Sequence, residues 1–348
     1  MNMLHAPLRL ALTMGDPCGI GPELWVRILC EPRPAPEAQP IVQRLLLGDA
    51  GVLERAATRL GLSSAWQRAL TDPTLLLHSV TSLTEPQSEP GKPTQEAGAA
   101  QVAYLQAAVN LAVRGDVQGL CTAPIHKGWA KAAGLLFPGH TELLGAHLRS
   151  APKEVMMLAG PSLRVALAST HLALREVAGA LSIAGLVDTL VTVAHALRLD
   201  FGIAAPRLWV AGLNPHAGEG GHFGDEEARI IAPAIAQAQA AFDGSQPADI
   251  QGPMVPDALF RAAVFGPPAQ RPDAVVALYH DQGLIPLKLL DFDRAVNVTL
   301  GLRVVRTSPD HGVAYDIAGR GLARPDSQRA ALDLCTRLTL GRAASSAR

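Results

Sequence analysis

The sequence carries almost no net charge. Its 30 Lys and Arg residues against 31 Asp and Glu leave a formal charge of −1, which gives no electrostatic footprint for a nucleic-acid surface. It lacks any apolar run near the roughly 18 residues a membrane helix requires. The opening stretch "MNMLHAPLRLALTMGDP" has neither the basic flank nor the long apolar centre of a secretory signal, so a cytoplasmic location without membrane or nucleic-acid partners is expected. Paired cysteine motifs are missing as well. Cys18, Cys30, Cys121 and Cys335 are scattered and form no C-x-x-C; free thiols in packed positions are expected, not a disulfide frame or a zinc knuckle. There is no internal repeat. Neither Gly-rich stretch, "MGDPCGIGPE" or "HAGEGGHFG", has the G-x-G-x-x-G spacing of the dinucleotide fingerprint, and no Walker A sequence occurs.

What the chain does have is an α/β alternation. Its 348 residues are 48% hydrophobic and 18% charged, enough for a sizeable core and two domains. Short apolar runs closed by Gly, Pro, Asp, Asn or Thr read as strands: 8–14, 44–49, 117–124, 154–160, 163–170, 207–215 and 273–280. Ala- and Leu-rich segments at helical spacing lie between several of them, at 95–114, 182–199 and 225–242. The alternation predicts largely parallel sheets covered on both faces. The stretch 82–95 reads as a Pro-rich loop and the tail "GRAASSAR" as frayed. Ligands gather at the carboxyl ends of parallel strands, and the polar clusters sit there: "MGDPCGIGPE", "TAPIHKG", "STH", "GLNPHAGEGGHFGDEE" and "YHDQG".

Three of the 11 histidines follow expected buried strands: His171, His216 and His280. Their wide separation excludes a finger-type zinc motif. Two readings remain on spacing alone: three ligands of an open metal site assembled from distant loops, or isolated loop histidines. Asp281 would then orient His280 or act as acid or base. Asp257, in "VPDALF", is a further carboxylate whose plain reading is an N-cap. Groups for an anionic substrate are also present. His140 and Thr141 precede an expected helix, with Thr141 as a candidate cap. Lys288, Asn297 and Arg306 follow later, and two cations beside a metal suit a phosphate and a carboxylate.

Six blocks carry a specific resemblance: "TMGDPCGIGPE", "TAPIHKGWAKAAGLLFPGHTELL", "GLNPHAGEGGHFGDEE", "YHDQGLIPLK", "VNVTLGL" and "RTSPDHGVAYDIAGRG". Together, from about Leu8 to Leu322, they resemble the 4-hydroxythreonine-4-phosphate dehydrogenases of pyridoxal 5'-phosphate biosynthesis. The resemblance implies two α/β/α domains with a cleft between them, in the isocitrate/isopropylmalate dehydrogenase-like fold. Approximate boundaries are 1–130 plus 285–348 for the cofactor side and 131–284 for the metal and dimer side. It implies a homodimer with the active site at the interface and histidine ligands drawn from both protomers. One divalent metal per subunit (zinc, magnesium or cobalt) would be held by His171, His216 and His280. A small phosphorylated amino-acid substrate would be bound by His140, Thr141, Lys288, Asn297 and Arg306. Lys288, Asp281 and Asp257 are the candidate catalytic groups, and Gly283 is expected to turn the chain after His280. "DHGVAYDIAGRG" also resembles the cofactor loop of isopropylmalate dehydrogenases, which places NAD, or NADP, on His311, Gly312, Asp316 and Gly319. The implied reaction oxidises 4-phosphooxy-L-threonine to a β-keto acid that loses carbon dioxide. A sister group acts on D-erythronate or D-threonate 4-phosphate; His126 and "EGGHFG" favour the vitamin B6 enzyme. Cys18 and Ala123 depart from the commonest family pattern without removing a proposed group. Two other classes compete. A metal-dependent hydrolase would not need the 311–319 loop, and a non-catalytic metabolite sensor would not need the metal.

Overall fold

The computed structural model describes residues 7–32, 41–137, 139–242, 244 and 246–346. In chain order the first elements are β1 (Leu8–Thr13), α1 (Gly21–Cys30), β2 (Val42–Gly48), α2 (Ala50–Arg59), α3 (Ser63–Ala69), β3 (Leu75–Ser79), α4 (Gln95–Arg114), β4 (Gly119–Thr122), α5 (Lys127–Ala132) and α6 (His140–Leu148). There follow β5 (Val155–Ala159), β6 (Arg164–Leu167), α7 (Leu174–Ala180), α8 (Ile183–Leu199), β7 (Arg207–Ala211), α9 (Ala232–Ala240), β8 (Asp249–Met254) and α10 (Pro256–Phe265). The last are β9 (Ala274–Ala277), α11 (His280–Asp291), β10 (Val296–Leu300), β11 (Val305–Pro309) and α12 (Asp326–Ser346).

The chain forms two compact units. Met1–Leu148 with Val304–Leu340 is the first, and Arg149–Arg303 with Gly341–Arg348 is the second. The approximate boundaries expected from the sequence were 130/131 and 284/285. Helix α6 packs on α4 and so stays with the first unit. Helix α11 rests on β6 and β9, and β10 pairs with β5, so both stay with the second.

In the first unit the strand order is β3-β2-β1-β4-β11, and every pairing is parallel. Such strands are buried on both faces and need near-continuous apolar residues. Accordingly Leu10, Ala11 and Leu12 of β1 and Leu120 and Cys121 of β4 are inaccessible. Helix α4 lies against β1 and β2. Thr94 caps it, accepting from the Ala97 amide at 3.1 Å, and Gly115 ends it in a left-handed conformation.

The second unit has the order β10-β5-β6-β9-β7-β8. The pairs β10/β5 and β5/β6 are antiparallel, and the others are parallel. Its core gathers Val165 and Leu167 of β6, Val275 and Ala277 of β9, and Leu284 and Leu287 of α11. Burying each of the Val and Leu side chains contributes about 1.5–3 kcal/mol. Gly283 does not turn the chain; it lies within α11. A β-carbon there would meet Val165 Cγ1 at 2.4 Å and Ala277 Cβ at 2.8 Å, so glycine lets the helix sit directly on the sheet.

Three local expectations change. Within 82–95 a short 3₁₀ turn forms at Pro86–Ser88. The expected helix 225–242 is a π turn, Glu227–Ile231, followed by α9, because Pro233 has no amide hydrogen to continue the ladder. The tail is helical through Ser346. Arg342 fixes it, with Nε and Nη2 donating to Asp200 at 2.6 and 2.8 Å and Nη1 to the Leu302 carbonyl at 2.9 Å.

Candidate active site

In the first unit, β1, β4 and β11 run side by side, with Leu12 opposite Cys121 and Cys121 opposite Thr307. Their loops therefore leave the sheet at one edge. Arg306 sits within β11 itself, opposite Leu120, and is only 3% exposed. Its Nη2 donates to Thr122 Oγ1 at 2.9 Å. Burial lowers its pKa to about 10, which still leaves a cation at neutral pH. A guanidinium costs several kcal/mol to desolvate, and its fork suits carboxylate or phosphate oxygens.

His140 begins α6. Burial, then the charges of Arg306 and Lys127, hold its pKa well below the usual histidine value, so the imidazole is neutral. Its Nε2 is buried and hydrogen-bonds to nothing among the described residues. Thr141 is not the cap, since the helix already starts at His140; it belongs to the first turn. The first backbone N–H groups of a helix have no partner within it, and this turn carries the positive end of the helix dipole. Arg306, Lys127, His140 and the α6 terminus thus form one anion-attracting group within the first unit.

The loop after β11 carries the expected cofactor residues. His311 Nδ1 lies 3.0 Å from the Gly312 carbonyl, so Nδ1 carries the hydrogen and Nε2 is an acceptor. Nε2 is buried without a partner among the described residues, and burial depresses the pKa. Gly312 and Asp316 are exposed. Gly319 has φ +72°, and a β-carbon there would meet Pro90 Cβ at 2.6 Å; both features require glycine. Its amide donates to Glu23 Oε2 at 2.9 Å. Glu23 also accepts from Ala323, and Arg27 holds the carbonyls of Gly321 and Ala323. Helix α1 therefore clamps the far end of this loop.

In the second unit, Leu167 of β6 pairs with Ala277 of β9. The loops that follow leave together, tied by Ala168 N to Ala277 O at 2.9 Å and Ser169 Oγ to Leu278 O at 2.7 Å. This brings the rings of His171 and His280 to 5.8 Å between centroids. The strand ends at Ala277, and His280 is the first residue of α11, not the end of the strand. His280 Nδ1 bonds Asp281 Oδ1 at 2.6 Å. Asp281 thereby fixes the tautomer and leaves Nε2 as a donor atom for a metal. Gln282 braces the turn, accepting from Leu278 N at 2.7 Å and donating to the Gly212 carbonyl at 2.6 Å.

His216 is not brought to that pair within one chain. It is exposed in a turn where His216, Ala217, Gly218, Glu219 and Gly220 all have positive φ. Glu227 holds the base of this turn, Oε1 accepting from the amides of Leu213 and Asn214 at 2.8 Å each. The His216 ring faces Phe223, 6.1 Å away. Among the described residues no group of three His, Cys, Asp or Glu side chains is placed to hold a metal. Two imidazoles with a carboxylate-oriented tautomer fit half of a divalent site. Asp257 is exposed in the first turn of α10, whose cap is Val255, so it is not the N-cap. Asn297, on β10 opposite Leu158, has its Oδ1 buried without a partner among the described residues. Lys288 is half-buried late in α11.

Thr122, Lys127, Glu227 and Gln282 were not singled out from the sequence. Each lies inside a quoted block, but only the strand registers reveal what it touches.

The family model described as "Pyridoxal phosphate biosynthetic protein PdxA" matches residues 40–335. The chain is 45% identical over 331 residues to the 4-hydroxythreonine-4-phosphate dehydrogenase of Desulfosudis oleivorans, covering 93% of this chain and 94% of that protein. It is 43% identical to the enzyme of that name from Burkholderia vietnamiensis, covering 99% and 100%. It is also similar to the crystal structure of 4-hydroxythreonine-4-phosphate dehydrogenase from Klebsiella pneumoniae. There the TM-score is 0.79 at 36% identity, over 96% of this chain and 100% of that one. The chain belongs to the PdxA family.

Proposed function

We propose that the protein is a cytoplasmic, NAD-dependent and divalent-metal-dependent 4-hydroxythreonine-4-phosphate dehydrogenase. It oxidises 4-phosphooxy-L-threonine to 2-amino-3-oxo-4-phosphooxybutanoate, which decarboxylates to 3-amino-2-oxopropyl phosphate on the way to pyridoxal 5'-phosphate. Full-length similarity to enzymes of this name supports the assignment. The single structural observation that carries it is the buried Arg306 beside a neutral His140 and Lys127, a group suited to a phosphorylated acid.

Arg306, Lys127 and the α6 terminus bind the anionic groups, while His140 offers a buried polar atom that orients them. His311 Nε2 accepts from a hydroxyl or amine of the cofactor, and the Asp316 carboxylate suits a ribose diol. NAD, when bound beside His311 and Asp316, would supply the hydride acceptor. A divalent ion on His171 and His280, completed by the partner's His216 in a homodimer, would acidify the alcohol. Of the candidate catalytic groups, Asp281 is committed to His280; Lys288, in its neutral amine form, takes the hydroxyl proton on Nζ. The C–H pair leaves as hydride and the C–O bond becomes a carbonyl. When carbon dioxide departs, the electrons of the broken C–C bond enter that carbonyl, and the carbon is then reprotonated.

A second copy is supported by α11. Ile285, Leu289 and Phe292 share one apolar stripe and are 58%, 82% and 70% exposed. The test is NADH formation at 340 nm with 4-phosphooxy-L-threonine, D-erythronate 4-phosphate and D-threonate 4-phosphate, before and after chelation. Turnover of the first, lost on chelation and restored by zinc, cobalt or magnesium, is expected. Preference for a sugar-acid phosphate would transfer the protein to the sister activity.

A further inference from the structure

One buried titratable cluster of the first unit has no part in the chemistry above. Asp16 is 1% exposed, and burial raises its pKa. Its Oδ1 accepts from the Cys18 amide at 2.8 Å and its Oδ2 from the Tyr315 hydroxyl at 2.6 Å. The Tyr315 ring stacks on His126 with centroids 5.5 Å apart and planes 24° apart. His126 caps α5, its Nδ1 accepting from the Trp129 amide at 3.2 Å, and its own amide donates to Gln101 Oε1 at 2.7 Å.

These residues come from three loops, those following β1, β4 and β11, and the loops are linked pairwise. The Asp16 amide donates to the Pro124 carbonyl at 3.0 Å, and the Ile20 amide to the Val313 carbonyl at 3.0 Å. The hydroxyl-to-carboxylate bond joins the first loop to the third, and the ring stack joins the third to the second. A buried carboxylate is costly, and an apolar contact of the same size would hold loops together more cheaply. A short hydroxyl-to-carboxylate bond adds direction, because it fixes the angle of the Tyr315 ring and hence of its partner.

The two loops on either side of the stack have different proposed duties. The loop 311–319 carries the cofactor contacts, and its far end is already clamped by Glu23 and Arg27. The loop before α5 leads directly into Lys127, whose charge acts on His140. We propose that Asp16 and Tyr315 are positioning residues that lock the cofactor loop to the anion-binding loop, so that dinucleotide and phosphorylated substrate bind interdependently. This rests on the functional reading above. A ligand that orders one loop removes part of the ordering the other ligand would require.

The measurement uses NADH and 4-phosphooxy-L-threonine, which are both reduced and cannot react with each other. NADH fluorescence titrations of the full chain, with and without the phosphorylated alcohol, give the linkage factor directly. The wild type is expected to bind NADH about fivefold tighter or more when the alcohol is present. In Tyr315→Phe, which keeps the ring, and in Asp16→Asn the factor should fall towards one. NADH affinity alone should change less than about twofold, and the melting temperature should show a folded protein. If Asp16→Asn does not fold, Tyr315→Phe decides. Wild-type linkage that persists in the variants, or its absence from a wild type that binds both ligands, overturns the proposal alone. A wild type that binds neither ligand overturns the functional reading and the proposal with it.

Discussion

The two units solve the problem of placing polar groups in opposite ways. The first hides them: Arg306 lies within a strand, His140 Nε2 and His311 Nε2 are buried, and each imidazole is kept neutral by burial. The second leaves most of its proposed groups nearer the surface, although Asn297 Oδ1 is buried. His216 and His171 are exposed, and the Asp281 side chain retains 72% of its accessibility. A buried group is positioned by its own core and can be complete in one chain. Among the exposed groups of the second unit, one chain brings together two of the three histidines.

The sharpest way to break this contrast is to remove the exposed histidines. His280→Ala and His216→Ala should each lose turnover on the order of a thousandfold, the rate equivalent of about 4 kcal/mol. Mixed under subunit exchange, they should regain one working site per mixed dimer, measured as NADH formation. His171→Ala mixed with His280→Ala should regain nothing, because those two rings lie together within one chain. Recovery in the second mixture, or none in the first despite proven exchange, would end the shared-site reading.

A smaller effect is expected from the buried side. Arg306→Ala should lower kcat/KM for the phosphorylated substrate by about 1.5–3 kcal/mol, with the KM for NAD nearly unchanged. Arg306→Lys should keep the charge but not the two-pronged geometry, and should recover only part of the loss. Equal losses for both ligands would assign Arg306 a purely structural role.

Smallest, and specific to burial, is a pH effect on stability. His140 and His311 have pKa values lowered in the folded chain by burial. Their contribution to stability is present above the unfolded histidine value of about 6.5 and is lost as pH falls below it, because the unfolded chain then binds the protons. The slope is at most about 1.4 kcal/mol per pH unit for each histidine. Denaturant unfolding at pH 7 and pH 5.5 should show the decline, and His140→Gln should reduce it. An identical slope in the variant would mean that His140 titrates normally in the folded protein.

The sequence was most legible where period and burial coincide. The strand runs at 8–14 and 273–280 and the helix 95–114 follow directly from apolar patterning and flanking Gly or Thr. Boundaries were less legible. His280 follows an apolar run that reads as strand to its end, yet Tyr279 turns the chain and His280 opens a helix. Gly283 looked like a turn signal because packing distance is invisible in a sequence. The chemistry of the first unit was legible as residue types, but not as an arrangement. Thr122 and Arg306 meet only because β4 and β11 are neighbours, and Asp16 meets Tyr315 across nearly the whole chain. His216 was grouped with His171 and His280 by its place after a strand. The left-handed turn that separates it depends on Glu227, whose role no local pattern reveals.

The parallel neighbours β4 and β11 also have a consequence for biosynthesis. Thr122 and Arg306 are 184 residues apart. At synthesis rates of roughly 5–20 residues per second, the edge of β4 waits about 10–40 seconds for the strand that covers it. During that interval the nascent chain exposes unpaired backbone groups on a strand with an apolar interior, a surface that chaperones recognise and that other chains can join. The second unit can pair its own strands in the meantime, so the sheet of the first unit, although its first strand leaves the ribosome first, is completed last.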